Sequence, residues 1–185
     1  MRGKAGLDFF LKHASGPVLD IGSGEGEQAG YLRAHGVRVV TLDNKADADI
    51  QGDFQNAFLK EFYPAIHCCH VLEHQRNPGE FLDKIYRYLQ DDGWLCITVP
   101  PLKHEIVGGH VSLWNAGLLV YHLVLAGFDC ADAYVRTEGY DVSVVVQKKP
   151  ADLSGIHMAC GDIELLSKYF PWQDVRQGFH GVRYA

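Results

Sequence analysis

The run Val18-Leu19-Asp20-Ile21-Gly22-Ser23-Gly24-Glu25-Gly26 joins an apolar segment to three alternating glycines. An apolar segment that ends at glycine is typical of a buried strand. The glycines allow a tight turn whose backbone can approach a ligand closely, because glycine lacks a Cβ. A helical pattern follows through Ala29 and Leu32 and ends at Gly36, a residue suited to a left-handed cap. The run therefore predicts a strand, a ligand-binding turn and a helix.

Strands and helices alternate along the rest of the chain. Apolar patterns predict strands at residues 38–42, 48–50, 65–70 and 94–99 and helices at residues 7–13, 77–89 and 115–126. Asp91-Asp92-Gly93 is expected to turn the chain into the strand at Trp94. Residues 128–136 and 140–147 flank Thr137-Glu138-Gly139 and predict a closing hairpin. The pattern indicates an α/β fold, in which a mostly parallel sheet with an antiparallel C-terminal hairpin carries helices on both faces.

The length of 185 residues fits one compact domain with a small addition. We place the domain at residues 1–149 and a C-terminal extension at residues 150–185. Apolar positions from Ile163 to Phe170 predict a single helix in the extension, before Pro171. The extension is expected to pack on the core or on a partner subunit, and the second arrangement makes the protein a homodimer.

The composition argues against two classes of partner. Apolar residues make up 47% of the chain and no apolar run approaches the roughly 20 residues that span a bilayer, so a membrane partner is not expected. The net charge is −6 and the basic residues are scattered, whereas nucleic-acid binding needs clustered positive charge. Five cysteines without framework spacing, and no export signal, predict reduced thiols in the cytoplasm. A small or sugar-like ligand is favoured.

The charges around the glycine turn indicate which kind of ligand it binds. A dinucleotide-binding turn has the pattern G-x-G-x-x-G and would need glycine where this chain has Glu27. Asp20, Glu25 and Glu27 surround the start of the following helix, where carboxylates repel a pyrophosphate and attract a sulfonium or ammonium group. The turn therefore predicts a cationic ligand and argues against a nicotinamide-dependent oxidoreductase.

Two further acids are placed to bind a nucleoside. Asp43 ends the second predicted strand, where a carboxylate can accept hydrogen bonds from both hydroxyls of a ribose. Asp53 follows Gln51-Gly52 and can accept from an adenine amino group, with Phe54 beside the ring. Each of these last two residues also has a structural alternative, Asp53 as a loop acid or helix cap and Phe54 as a core side chain.

In these motifs the chain resembles the class I S-adenosylmethionine-dependent methyltransferases, particularly small-molecule enzymes of the type 11/12 kind. Their signature is V-L-D-x-G-x-G-x-G, an acid ending the second strand, G-D-F after the third strand and V-L-E-H after the fourth. The matches fall in order at residues 18–26, 43, 52–54 and 71–74, and the resemblance spans about residues 7–148. It implies a Rossmann-like, seven-stranded sheet and S-adenosylmethionine as the cofactor.

The resemblance also implies an activity and a site. The activity is in-line transfer of a methyl group to a small-molecule or saccharide acceptor; the alternative is a non-catalytic cofactor-binding module that acts as a partner or regulatory subunit. The methionine part of the cofactor falls to Asp20, Gly22, Ser23, Gly24 and Gly26, the ribose to Asp43 with Asn44 beside it, the adenine to Asp53 and Phe54, and the sulfonium side to Cys69 or His70. An N-P-P-Y-like run is missing after the fourth strand, which disfavours N-methylation of nucleic acid or glutamine.

Histidines near the strand ends are candidates for acid–base chemistry, which the reaction needs only if the acceptor must lose a proton. His110 lies in a glycine-containing loop after the fifth strand and is the first candidate; packing near Trp114 is its structural alternative. His74 is the second candidate, with a structural hydrogen bond as its alternative.

No metal site is predicted. Successive side chains of a strand point to opposite faces, so His67-Cys68-Cys69-His70 cannot enclose one ion. Some quinone-pathway O-methyltransferases bind a divalent ion through E-x-x-E-H after the fourth strand. His70 replaces the first acid of that motif here, which leaves metal dependence open.

Overall fold

The computed structural model describes residues 1–45 and 47–178. The strands are β1 (Val18–Ile21), β2 (Val39–Asp43), β3 (Ile50–Gln51), β4 (Tyr63–Cys69), β5 (Leu89–Val99), β6 (Tyr134–Glu138) and β7 (Asp141–Gln147). The helices are α1 (Lys4–Phe10), α2 (Glu27–Ala34), α3 (Pro78–Tyr88), α4 (Ala116–Leu125) and α5 (Asp162–Leu165), with 3-10 turns at Leu72–His74 and Ser167–Tyr169.

The seven strands form one sheet in the order β3-β2-β1-β4-β5-β7-β6. Neighbouring strands from β3 to β5 pair in parallel, whereas β7 pairs antiparallel with both β5 and β6. Six strands therefore share one direction and β7 opposes them. The predicted α/β fold, with a Rossmann-like, mostly parallel sheet and an antiparallel C-terminal hairpin, is confirmed.

Helices cover both faces of the sheet because successive strand residues face opposite sides. Val18 packs in a cluster with Leu7 of α1 and Leu32 of α2. Its neighbour Leu19 belongs to the larger cluster that contains the apolar faces of α3 and α4. The carboxyl ends of the parallel strands meet at one edge of the sheet, where ligands of such folds bind.

The strand predicted from residue 94 begins earlier, at Leu89. The segment Asp91-Asp92-Gly93 is an irregularity within β5 and not a turn before it, since the register with β4 shifts between Tyr63 and Ala65. Asp92 has a left-handed backbone with φ 60° and its amide donates to the carbonyl of Lys148. The strand stays paired through this polar run, because the Lys148 carbonyl, directly after β7, accepts the hydrogen bond from Asp92.

Two other boundaries differ from the sequence prediction. Helix α1 covers residues 4–10 instead of 7–13, and it buries Leu7 and Phe10 against the sheet. Strand β6 starts at Tyr134 instead of residue 128, because Phe128 forms only an isolated bridge to Pro150 and residues 130–133 form a turn.

The described part of the C-terminal extension packs on the core. Leu166, Phe170 and Trp172 are buried in the cluster beside α4. The single helix predicted there is wrong, because α5 ends at Leu165 and a separate 3-10 turn follows. The Tyr169 carbonyl accepts a hydrogen bond from the Cys130 amide, which ties the extension to the core. Residues 179–185 of the predicted extension lie outside the described residues.

None of the described helices combines the length and the apolarity that crossing a bilayer requires.

The side chain of Asp49 links the start of the short strand β3 to β2. The Asp49 carboxylate accepts hydrogen bonds from both the amide and the hydroxyl of Thr41, each at 2.9 Å, and lies 3.4 Å from Arg33. The bonds with Thr41, reinforced by the charge of Arg33, lower the pKa of Asp49. These bonds hold the chain at the point where Asp43 leaves β2.

We predict that Asp49→Asn lowers the free energy of unfolding at neutral pH, and that the difference from the wild type shrinks on acidification. A carboxyl whose pKa is lower in the folded state stabilises the fold above its ordinary pKa, and this contribution is lost as the pH falls through the folded value. Urea unfolding at pH 7 and in acid measures the difference. Asp47→Asn, in the same loop, controls for the loss of an exposed charge. A difference that grows in acid would contradict the prediction.

Candidate active site

A cavity of about 480 Å³ lies at the carboxyl ends of β1, β2, β3 and β4. Seven of the residues predicted to bind cofactor line it, namely Gly22, Gly24, Asp43, Asn44, Asp53, Phe54 and His70. His74 lines it as well. Its other lining residues are Ile21, Glu25, Leu42, Lys45, Gly52, Val71, Gln75 and Phe81. The cavity thus gathers segments from four strand ends that are far apart in the sequence.

The glycine turn at the end of β1 depends on a close contact with the segment after β4. Gly22 has a left-handed φ of 70°, and a Cβ at this position would lie 2.2 Å from Cγ2 of Val71. Its amide donates to the Leu42 carbonyl at 2.7 Å, which joins the turn to β2. No other residue type fits this place without moving Val71.

Asp43 connects the end of β2 to the glycine turn. Its Oδ2 accepts a hydrogen bond from the Gly24 amide at 2.9 Å, and its Oδ1 accepts from the Lys45 amide at 2.7 Å. These bonds fix the carboxylate at the cavity surface, with Asn44 beside it. A carboxylate held in this way can accept further hydrogen bonds from the hydroxyls of a ligand.

Asp53 and Phe54 form part of the cavity wall, and Lys84 holds their loop. The Asp53 carboxylate accepts bonds from the Gln55 amide and the Asn56 side chain. Phe54 is buried and packs edge-on against Phe81. The Lys84 ammonium donates to the carbonyls of Phe54, Gln55 and Ala57. Burial lowers the pKa of Lys84, and the three carbonyls satisfy its charge.

Four residues predicted to bind cofactor do not line the cavity: Asp20, Ser23, Gly26 and Cys69. Asp20 is only 2% exposed, and its carboxylate lies 2.7 Å from Nδ1 of the equally buried His67. Within residues 1–45 and 47–178, His67 Nε2 has no hydrogen-bond partner. The pair links β1 to β4 on the face of the sheet that α1 and α2 cover.

His70 follows β4 with a strained backbone and two acidic neighbours. Its φ of 56° is left-handed, an unusual value for a residue with a Cβ. Its Nε2 lies 2.8 Å from Asp141 and its Nδ1 lies 3.2 Å from Glu73. Burial alone would lower the pKa of His70, but the two carboxylates outweigh burial and raise it. His70 therefore favours the cationic form more than a free histidine does.

Glu73, His74 and His110 come together beside the cavity. Glu73 is fully buried, and neither carboxylate oxygen makes a hydrogen bond within the described chain. The 3.2 Å approach of His70 is an ion pair without hydrogen-bond geometry. His74 Nδ1 bonds to the Gly109 carbonyl, and its ring packs edge-on against His110. Single ligand atoms of the three residues lie within 4.8 Å of one another, so the group could hold a divalent cation.

A second cavity of about 210 Å³ lies beside the first, because His110 in its lining contacts His74. Its wall is the loop from Pro100 to Trp114 together with Tyr140, and His110 is part of its lining. His74 lines the first cavity and His110 the second. The His74–His110 contact is therefore part of the wall between the two cavities. Both residues predicted to be catalytic lie in that wall.

Three side chains that support the candidate site are not among the residues predicted from the sequence. Glu73, known there only as part of the V-L-E-H match, is buried next to His70 and His74. Lys84 lies on the polar face of α3, where a lysine is normally solvated. His67 belongs to strand β4, and the sequence of this strand does not show which face of the sheet each side chain points to. Of these side chains, only His67 could have been identified from the sequence. It is the third residue of the strand predicted from Ala65, as Asp20 is the third residue of the strand predicted from Val18, so the two could face each other if these strands are neighbours.

Comparison with known families gives one match that covers most of the chain. The family described as a methyltransferase domain matches residues 4–122. No curated protein sequence matches the chain.

Several solved structures share the fold. The Burkholderia thailandensis 1,6-didemethyltoxoflavin-N1-methyltransferase, with bound 1,6-didemethyltoxoflavin and S-adenosylhomocysteine, is 16% identical with a TM-score of 0.65, over 80% of this chain and 78% of its own. A SAM-dependent methyltransferase from Archaeoglobus fulgidus is 16% identical with a TM-score of 0.64, over 78% and 92%. Human N-acetylserotonin methyltransferase with SAM is 16% identical with a TM-score of 0.65, over 80% and 52%.

We predict that Gly22→Ala lowers the free energy of unfolding by about 2 kcal/mol or more. The left-handed backbone costs about 1–2 kcal/mol for a residue with a Cβ, and the contact with Val71 adds to that cost. Gly30→Ala is the matched control, because nothing lies within 4 Å of its Cβ position in α2 and alanine favours a helix. Urea unfolding of both variants measures the difference. Equal stability of the two variants would contradict the role of the turn.

Proposed function

This chain belongs to the methyltransferase domain family, and we propose that it transfers a methyl group from S-adenosylmethionine to a small-molecule acceptor. One observation carries the proposal: a cavity suited to an adenosyl ligand adjoins a second cavity across the His74–His110 contact. In-line transfer needs the sulfur of the donor and the attacking atom of the acceptor on opposite sides of the methyl carbon. The protein must hold them in line and exclude water.

The cavity at the strand ends fits the donor. Gly22 and Gly24 bring backbone to its surface without a Cβ, and Glu25 adds negative charge beside it. This charge suits the sulfonium and ammonium groups of S-adenosylmethionine better than a pyrophosphate. Asp43 offers carboxylate oxygens to the ribose. Asp53 and Phe54 are assigned to the adenine. Structures of similar fold are described with S-adenosylhomocysteine or SAM bound, which supports this choice of ligand.

The protein needs to supply few chemical groups for this reaction. S-adenosylmethionine supplies a methyl carbon, which bonds to a lone pair of the acceptor as the carbon–sulfur bond breaks and its electrons return to sulfur. Where the acceptor atom must also lose a proton, we assign its removal to His110 or His74. This assignment is supported by the position of each histidine in the lining of one of the two cavities. His74 holds its ring through the Gly109 carbonyl, so the orientation of the wall depends on the loop that carries His110.

The acceptor is assigned to the class of small molecules or saccharides, since the second cavity measures about 210 Å³. A structure of similar fold is described with 1,6-didemethyltoxoflavin bound, which supports a small acceptor. We also propose a cytoplasmic location, which the five unpaired cysteines support. Homodimer formation through the C-terminal extension stays a prediction.

Isothermal calorimetry tests the donor assignment. We predict that the chain binds S-adenosylhomocysteine and not NAD, and that Asp43→Ala weakens binding at least tenfold, because hydrogen bonds to a charged group contribute about 1.5–3 kcal/mol. Asp47→Ala is the control, since this exposed residue does not line the cavity. Binding of NAD in place of S-adenosylhomocysteine would overturn the proposed function.

Transfer from labelled S-adenosylmethionine to a metabolite extract tests the acceptor side. We predict that the wild type labels at least one small molecule and that His110→Ala lowers the rate by about 10²-fold or more if the acceptor loses a proton. His157→Ala, an exposed histidine of the extension, is expected to keep the wild-type rate. Cofactor binding without any transfer would instead favour a non-catalytic, cofactor-binding partner subunit.

A further inference from the structure

Two cations converge on one aromatic ring at the edge of the second cavity. Tyr140 lies in the turn between β6 and β7 and lines that cavity. The Lys103 ammonium lies 4.3 Å from the centre of its ring and the Arg2 guanidinium carbon lies 4.6 Å from it. The two charges are therefore at most about 9 Å apart, a distance at which like charges repel.

No carboxylate in the described chain forms an ion pair with either cation. Asp141 is the acid that directly follows Tyr140 in the sequence. Its Oδ2 accepts a hydrogen bond from the Gly3 amide, and its Oδ1 contacts Nε2 of His70. Glu105 lines the cavity but is exposed and makes no ion pair with Lys103. The positive charge at this edge therefore lacks a protein partner in the described residues, although the ring faces offset part of it.

The remaining lining of the cavity is largely apolar. Pro100, Pro101 and Val107 contribute to it, and the buried ring of Trp114 is also part of its lining. A volume of about 210 Å³ is about seven times the roughly 30 Å³ that a water molecule occupies in the liquid. That space accommodates a single ring with short substituents. The cavity combines an apolar body with a cationic edge.

We propose that the methyl acceptor is a small, single-ring or similarly compact molecule that carries a carboxylate. The ring of the acceptor lies between the prolines and Trp114, and its carboxylate lies at Lys103 beside Tyr140. Arg2 does not line the cavity, but its guanidinium adds positive charge at the same tyrosine ring. A positively charged donor in the neighbouring cavity would attract the same anion. This assignment rests on the proposed function, because it names the substrate class of the acceptor cavity.

Calorimetry with two probes of nearly equal shape tests the charge requirement. Benzoate and benzamide are titrated into the full chain saturated with S-adenosylhomocysteine. We expect benzoate to bind at least about fivefold more tightly, the factor that corresponds to about 1 kcal/mol of charge attraction, and the ratio to fall as salt is raised. Equal binding of the two probes, or binding of neither, would overturn the proposal.

Variants locate the charge. Lys103→Met and Arg2→Met keep the aliphatic contact with Tyr140 and remove the cation, so the ratio of benzoate to benzamide affinity should fall to about one in the double variant. Lys168→Met is the matched control, since Lys168 lies 4.9 Å above the ring of Tyr169 outside the cavity. A ratio that persists in the double variant would overturn the assignment. S-adenosylhomocysteine binding is measured first for every variant, so loss of donor binding is recognised as failure of the proposed function.

Discussion

The contact between Gly22 and Val71 is the constraint on which the site depends. It brings the turn after β1 against the segment after β4, at a distance that leaves no space for a Cβ. Asp43 then joins β2 to the same turn through the Gly24 amide. The buried Asp20–His67 pair links β1 to β4. Three neighbouring strand ends are thereby fixed relative to one another before any ligand binds, which is the preorganisation that a binding cavity requires.

Electrostatics divide the site into two halves. The proposed donor cavity has three carboxylates at its surface, from Glu25, Asp43 and Asp53, against one lysine, Lys45. The proposed acceptor cavity has Lys103, His104 and His110 in its lining, together with Glu105. The buried Glu73 lies between them, next to His70 and His74. A cationic donor and an anionic acceptor would each meet the opposite charge, and their mutual attraction would draw them toward the wall.

The sequence was sufficient for the fold because its main signals are local. A strand that passes into glycines, and apolar stripes on helices, follow from spacing alone. Asp43 and Asp53 were identifiable because strand ends in such sheets meet at one edge. The irregular start of β5 was not, since polar Asp91 and Asp92 read as a turn and only the pairing with β4 shows that the strand continues.

The sequence does not show where individual side chains point, and this limited how much of the candidate site could be predicted. Asp20 and Cys69 fall in the right segments but do not line the cavity, and the burial of Glu73 and the role of Lys84 depend on contacts between distant segments. Such contacts are tertiary and leave no periodic trace in a single sequence.

A crystal structure of the chain soaked with S-adenosylhomocysteine tests the central claim most directly. We expect density for the ligand in the cavity lined by Gly22 and Phe54, with the ribose at Asp43 and the sulfur facing the His74–His110 wall. Density at another place, or an adenosyl group turned with its sulfur away from that wall, would contradict it.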